Sequence, residues 1–278
     1  MNRRLFLLAG AALCLAAAPA FAAAPFAPTR FSVEVRGSGP DVILIPGLTS
    51  GRDVWASTVS AVPGYRYHLI QVAGFAGDPA RGNRNGPVVA PLATEIVRYI
   101  VDRRLDRPAI IGHSMGGTLA MIIGSRAPAV AGRIMVVDML PQPVGLFGGR
   151  SSEWGPLADS LGRFVGTPEG RNLFAGFMAA FSPPNAGNRR SDPDVTARAM
   201  HELAATDMGP ELPRIRAPFT VVYGSPDPRA RAVIDRSFTR AYARAPTARL
   251  IRVDGSGHMV MHDQPARFQA AVREFLAR

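Results

Sequence analysis

Gly112-His113-Ser114-Met115-Gly116, followed by Gly117, sets a hydroxyl between two glycines in the pattern G-x-S-x-G. A serine so placed becomes a usable nucleophile when the chain turns abruptly from a strand into a helix. That turn strains the backbone of the middle residue. A Cβ two positions before or after it would collide with neighbouring backbone, and glycine at 112 and 116 removes both collisions. The turn would stand the Ser114 Oγ above the sheet at a helix N-terminus. Amide donors and the helix dipole favour developing negative charge there. The chemistry suited to that setting is attack on an acyl carbon.

The surrounding elements have the order this turn needs. Residues 109–112 read as a buried strand and 114–126 as the helix that follows. Residues 31–35 alternate like an edge strand, while 42–45, 67–72, 134–138, 219–223 and 249–253 read as further strands. Residues 87–104 have helical periodicity, with Val88, Leu92, Ile96 and Ile100 on one face. Helices are also expected over 235–243 and 265–277. Strands alternating with helices give an α/β fold, a mostly parallel sheet covered on both faces. Residues 139–213 break the rhythm with Pro141, Pro143, Gly145, Pro183 and Pro184 among Phe147, Trp154, Phe164, Phe174, Phe177, Met178 and Phe181. They read as a helical insertion between two strands. No internal repeat is present.

The strand, the elbow and the helix resemble the α/β-hydrolase family, in particular its single-domain esterase, haloperoxidase-like and C–C hydrolase members. The resemblance spans about residues 31–278. It implies the α/β-hydrolase fold with a helical lid at 139–213 over Ser114. It also implies a Ser-His-Asp triad in that chain order. Serine needs a base, and the family carries its histidine after the last strand, where this chain has Gly255-Ser256-Gly257-His258. His262 is the rival, one helical turn later and without a glycine-rich loop. The family's acid sits in G-x-x-D after the preceding strand, which is Gly224-Ser225-Pro226-Asp227 here; Asp138, where some relatives put it, is the rival. The oxyanion hole would use the backbone N–H of Met115 and that of Leu48. The family usually shows His-Gly-x at the second place, and this chain has Pro46-Gly47-Leu48, so the histidine is replaced. Trp55 matches a packing aromatic, and His113 is expected to pack or tether a loop. Relatives with an aspartate nucleophile, the haloalkane dehalogenases and epoxide hydrolases, differ at the position of Ser114.

Composition removes competing chemistries. The 278 residues contain no lysine, which excludes a P-loop and Schiff-base catalysis. Cys14 is the one cysteine, so a disulfide framework, a cysteine-ligated zinc and a cysteine nucleophile beyond the first residues are excluded. Five histidines without HExxH or a tight His/Asp cluster argue against a metal, and the triad needs no cofactor. The formal charge is +11. The arginines are scattered rather than interleaved with aromatics, so no nucleic-acid partner is expected.

Residues 1–24 read as an export signal: Arg3 and Arg4, an apolar run from Leu5 to Ala18 too short for a bilayer, then Ala-x-Ala sites at Ala20–Ala22 and Ala22–Ala24. Arg3-Arg4-Leu5-Phe6-Leu7 resembles a twin-arginine signal, an ordinary secretory signal being the alternative. Loss of this segment would lower the formal charge from +11 to +9 and leave residues 25–278 as one cysteine-free domain. The expectation is therefore a periplasmic or secreted serine esterase with Ser114, His258 and Asp227, acting on esters of small or medium apolar acyl groups. The alternatives are the same triad on C–C, lactone or amide bonds, or a non-catalytic ligand-binding protein of this fold.

Overall fold

A computed structural model describes residues 26–143, 190–245 and 247–278. The expected export signal and the middle of the expected 139–213 insertion lie outside the described residues.

Seven strands form one sheet: β1 (Phe31–Arg36), β2 (Asp41–Ile45), β3 (Arg66–Val72), β4 (Ala109–His113), β5 (Arg133–Val137), β6 (Phe219–Ser225) and β7 (Arg249–Asp254). Their order is β1-β3-β2-β4-β5-β6-β7. β1 is antiparallel to β3 and every other pairing is parallel. The central strands read as continuous apolar runs because both faces are covered. Successive residues alternate between the two layers. Ile43, Ile45, Ile110, Ile134 and Val136 face helices α2 (Val89–Asp102) and α3 (Met115–Arg126). Val42, Leu44, Ile111, Met135 and Val137 face Trp55, Phe268, Val272 and Phe275 on the other side.

Helix α2 buries Leu92, Ala93, Ile96, Tyr99 and Ile100 as one stripe. Its first turn has no cap of its own. The Glu202 carboxylate accepts from the Val88 and Val89 N–H groups, 3.0 Å for the latter, and satisfies donors that the helix leaves open. The outer face of α2 holds the first described residues. Glu95 accepts from the N–H groups of Thr29 (2.9 Å) and Arg30 (2.7 Å), and Arg98 lies over the Phe26 ring.

The chain leaves the sheet after β5 and returns at β6. Described between them is helix α4 (Pro193–Ala205), with Asp192 as N-cap accepting from Asp194 and Val195 N–H groups at 3.0 Å and Pro193 in its first turn. Val195 packs onto Gly74, where an added Cβ would approach it to 2.9 Å. Helices α5 (Arg231–Ala241), α6 (Val260–Asp263) and α7 (Pro265–Ala277) complete the described set, with a short helix α1 at Ala56–Ala61. The sequence reading starts α5 four residues late, at 235, because no residue of its first turn is buried: Ala232 and Val233 are exposed and Arg231 and Ile234 half-buried. No described helix is long and apolar enough to cross a membrane.

Candidate active site

The C-terminal ends of β2, β4, β5 and β7 place the candidate residues. Ser114 follows β4 directly, with φ 53° and ψ −121°, a conformation costly for a residue with a Cβ. Three contacts hold it. Its N–H donates to the Val137 carbonyl at 2.9 Å, and its carbonyl accepts from the N–H groups of Gly117 and Thr118 at 2.7 and 3.2 Å. The glycines are needed on steric grounds. A Cβ on Gly112 would lie 2.0 Å from the Gly116 oxygen, and one on Gly116 would lie 2.2 Å from the Ile45 oxygen. The elbow is thus wedged between β2 and α3, and Met115 is the first helical residue, whose N–H has no partner within the helix.

The loop after β2 comes to the same place. Gly47 packs on the elbow so closely that an added Cβ would sit 3.1 Å from the Ser114 Cβ and 2.9 Å from the His113 Nδ1. The next residue is Leu48. The turn is closed by Ser50 N–H to the Gly47 carbonyl at 3.2 Å, and the Leu48 carbonyl accepts from the Thr49 hydroxyl at 2.7 Å.

After β7, Gly255 takes φ +76° and its N–H donates to the Ser225 carbonyl at 2.8 Å. Gly257 N–H donates to Asp263 at 2.8 Å. These contacts fold the loop back over the sheet and present His258, whose Nδ1–H donates to Asp138 Oδ2 at 2.7 Å. The other Asp138 oxygen accepts from Gly224 N–H at 2.8 Å. Asp138 itself has φ +48°, and its N–H donates to the Val222 carbonyl at 2.7 Å. A carboxylate fixed in this way sets which imidazole nitrogen carries the proton and leaves the other free to accept one.

The carboxylate beside His258 is therefore not the one expected. Asp227 lies two residues beyond the end of β6, as N-cap of the 3-10 turn Pro228–Ala230, and its side chain accepts from Arg229 N–H at 2.8 Å. β6 continues to Ser225, in register with Asp254. The Gly224 amide at its end is occupied by Asp138, so the position over β6 that an acid on the β6 loop would take is already filled from β5. Asp227 is left as an exposed cap. His262 is exposed in α6.

His113 is 1% exposed, and its Nε2–H donates to the His258 carbonyl at 2.9 Å. The two rings lie 4.7 Å apart. Burial pushes the His113 pKa well below its usual 6.5, and neighbouring His258 pushes in the same direction. Tyr242 was not singled out in the sequence. At the end of α5, its hydroxyl donates to the Met139 carbonyl at 2.6 Å, directly after Asp138, and burial raises its pKa well above 10.0. Only its place in a helical repeat signals it, which gives a core role and no more. Among the described residues no cluster of three His, Cys, Asp or Glu side chains could hold a metal ion.

Residues 42–271 match the sequence profile of the alpha/beta hydrolase family, which covers most of the chain. The chain belongs to that family. This hydrolase is 25% identical to a pimeloyl-[acyl-carrier protein] methyl ester esterase of Aromatoleum aromaticum, over 81% of this chain and 94% of that one. It is also 25% identical to an N-formylmaleamate deformylase of Pseudomonas putida, over 86% and 90%. Among solved structures the enol-lactonase of Burkholderia xenovorans superposes with a TM-score of 0.71 at 19% identity, over 89% of this hydrolase and 96% of the lactonase, a likeness of fold.

Proposed function

We propose that the protein is a serine hydrolase that cleaves carboxylic esters of small or medium apolar acyl groups through an acyl-enzyme on Ser114. The observation that carries this reading is the His258–Asp138 hydrogen bond of 2.7 Å beside a strained serine at the start of a helix. Asp138 keeps the proton of neutral His258 on Nδ1, so Nε2 is the basic nitrogen. Nε2 takes the Ser114 proton as Oγ attacks the ester carbon, and the imidazolium formed is stabilised by Asp138. The negative charge gathers on the former carbonyl oxygen. Met115 N–H and Leu48 N–H are its proposed donors, supported by the open helix start and by the contact of Gly47 with the elbow. His258 then protonates the leaving alkoxide, the acyl group stays on Ser114, and a water activated by His258 releases it. No step calls for a cofactor.

The likeness to a methyl ester esterase supports the ester substrate. The likeness to a deformylase supports a second reading in which the same residues open an amide. Export to the periplasm or medium completes the proposal. Its support is the sequence alone: Arg3-Arg4, the apolar run from Leu5 to Ala18 and the Ala-x-Ala sites that follow.

The test is hydrolysis of p-nitrophenyl esters from acetate to laurate, beside p-nitroanilides of the same acids, by residues 25–278. Turnover of the shorter esters that falls away toward laurate is expected. Faster turnover of the anilides would favour the amide reading, and turnover of neither would remove simple acyl hydrolysis.

A further inference from the structure

His113 is a polar side chain in a place where an apolar one would pack at less cost. It is 1% exposed, and its Nδ1 finds no hydrogen-bond partner among the described residues. Leaving a buried polar atom unpaired is destabilising. Burial also holds the ring neutral, with the half-buried His258 as its nearest titratable neighbour and His262 beyond it. What the ring supplies is on its other edge. Nε2–H donates to the backbone carbonyl of His258 itself at 2.9 Å. The residues flanking His258 are held separately, by Gly257 N–H to Asp263 and Gly255 N–H to Ser225, each at 2.8 Å, and by the Met259 carbonyl accepting from His262 N–H at 2.8 Å. On its Nδ1 edge the ring packs against Gly47, the residue before Leu48. One side chain therefore touches the loop that carries the base and the loop that follows β2, and it does so from the position next to Ser114.

We propose that His113 is a positioning residue, which fixes the height and tilt of His258 over Ser114 through the His258 carbonyl. This rests on the reading of His258 as the base. His113 touches no substrate in this scheme. Its effect passes through the His258 backbone, while Asp138 fixes the ring from the other end. With both in place the imidazole is held at two points, its main chain and its Nδ1. With the Nε2 donor gone, the loop keeps its outer bonds and the ring is free to drift. A misplacement near 1 Å at a reacting group costs on the order of a hundredfold.

Two substitutions of matched length separate this from a packing role. In His113→Gln the amide nitrogen stands where Nε2 stood and still donates to the carbonyl. In His113→Met the volume is kept and the donor is lost. The measurement is kcat and KM for p-nitrophenyl butyrate, with thermal melting of each variant. The expected result is a kcat loss of about ten- to a hundredfold in the Met variant with KM within twofold, and near wild-type kcat in the Gln variant. If the Met variant fails to fold, His113→Asn, too short to reach the carbonyl, carries the same expectation. Equal kcat in the Gln and donor-less variants, whatever their melting temperatures, would overturn the proposal. Butyrate turnover that survives Ser114→Ala would overturn the reading of the site itself, and this inference with it.

Discussion

His258 Nδ1 and Asp138 Oδ2 are 2.7 Å apart, and the Gly224 amide reaches the second Asp138 oxygen at 2.8 Å. The carboxylate that steadies His258 thus comes from the end of β5 and is held by the end of β6. Asp138→Asn keeps the shape but presents an amide that can leave the proton on the wrong nitrogen. The expected loss is about 10⁴-fold in kcat for ester hydrolysis. Asp227→Asn keeps a side-chain oxygen to accept from Arg229 N–H and should leave kcat within about threefold and stability nearly unchanged. Steady-state kinetics of the two variants decide between the carboxylates. A large loss on the Asp227 side would reverse the assignment.

The elbow glycines make a second prediction, about stability. An alanine at 112 would press its Cβ to 2.0 Å from the Gly116 oxygen, and backbone on both sides cannot yield cheaply. Gly112→Ala should cost about 3 kcal/mol or more in urea unfolding and abolish turnover. Gly86 serves as the control, since it has φ +71° and nothing within 4 Å of an added Cβ. Gly86→Ala meets only backbone strain, should cost about 1–2 kcal/mol, and should keep full activity.

Stability should fall as the pH drops below about 6.5. Burial lowers the pKa of His113 and of His68 in the folded state, and for His68 this outweighs the opposing pull of Asp41, 2.8 Å from its Nε2. The unfolded chain then binds more protons than the folded one between the lowered values and 6.5. The contribution is therefore complete above 6.5 and is lost as pH falls through the folded values. Asp41 and Glu211, lowered by Arg66 and Arg126, add a further loss below their ordinary values of 3.8 and 4.5. Urea melts from pH 7.5 to 5 check this. His113→Gln should show a shallower slope over that range than the wild type.

Much of this site can be read in the sequence, for a physical reason. An elbow requires glycine at two fixed places, and a loop that folds back over the sheet requires small residues, so the positions of Ser114 and His258 are legible in Gly112-x-Ser114-x-Gly116 and Gly255-Ser256-Gly257. The acid has no such signature. Asp138 and Asp227 both follow apolar strand runs, and the choice depends on how far β6 extends and which carboxylate reaches the Gly224 amide. Only tertiary structure sets either. Strand positions were legible because fully buried parallel strands are unbroken apolar runs. The helix α1 and the short α6 were not, since six and four residues carry too little periodicity. The anchoring of Asp138 by Tyr242 through the Met139 carbonyl spans 103 residues of chain, which no local pattern records.

The covalent step on Ser114 is the central claim, and trapping it is the most direct measurement. Residues 25–278 would be treated with a fluorophosphonate probe, weighed intact and mapped by peptide, with p-nitrophenyl butyrate turnover followed in parallel. One adduct on the peptide containing Ser114 is expected, with turnover lost in step with labelling. Ser114→Ala should take no label and lose about a thousandfold or more in rate. A label on another residue, or turnover undiminished in the alanine variant, would contradict a Ser114 nucleophile.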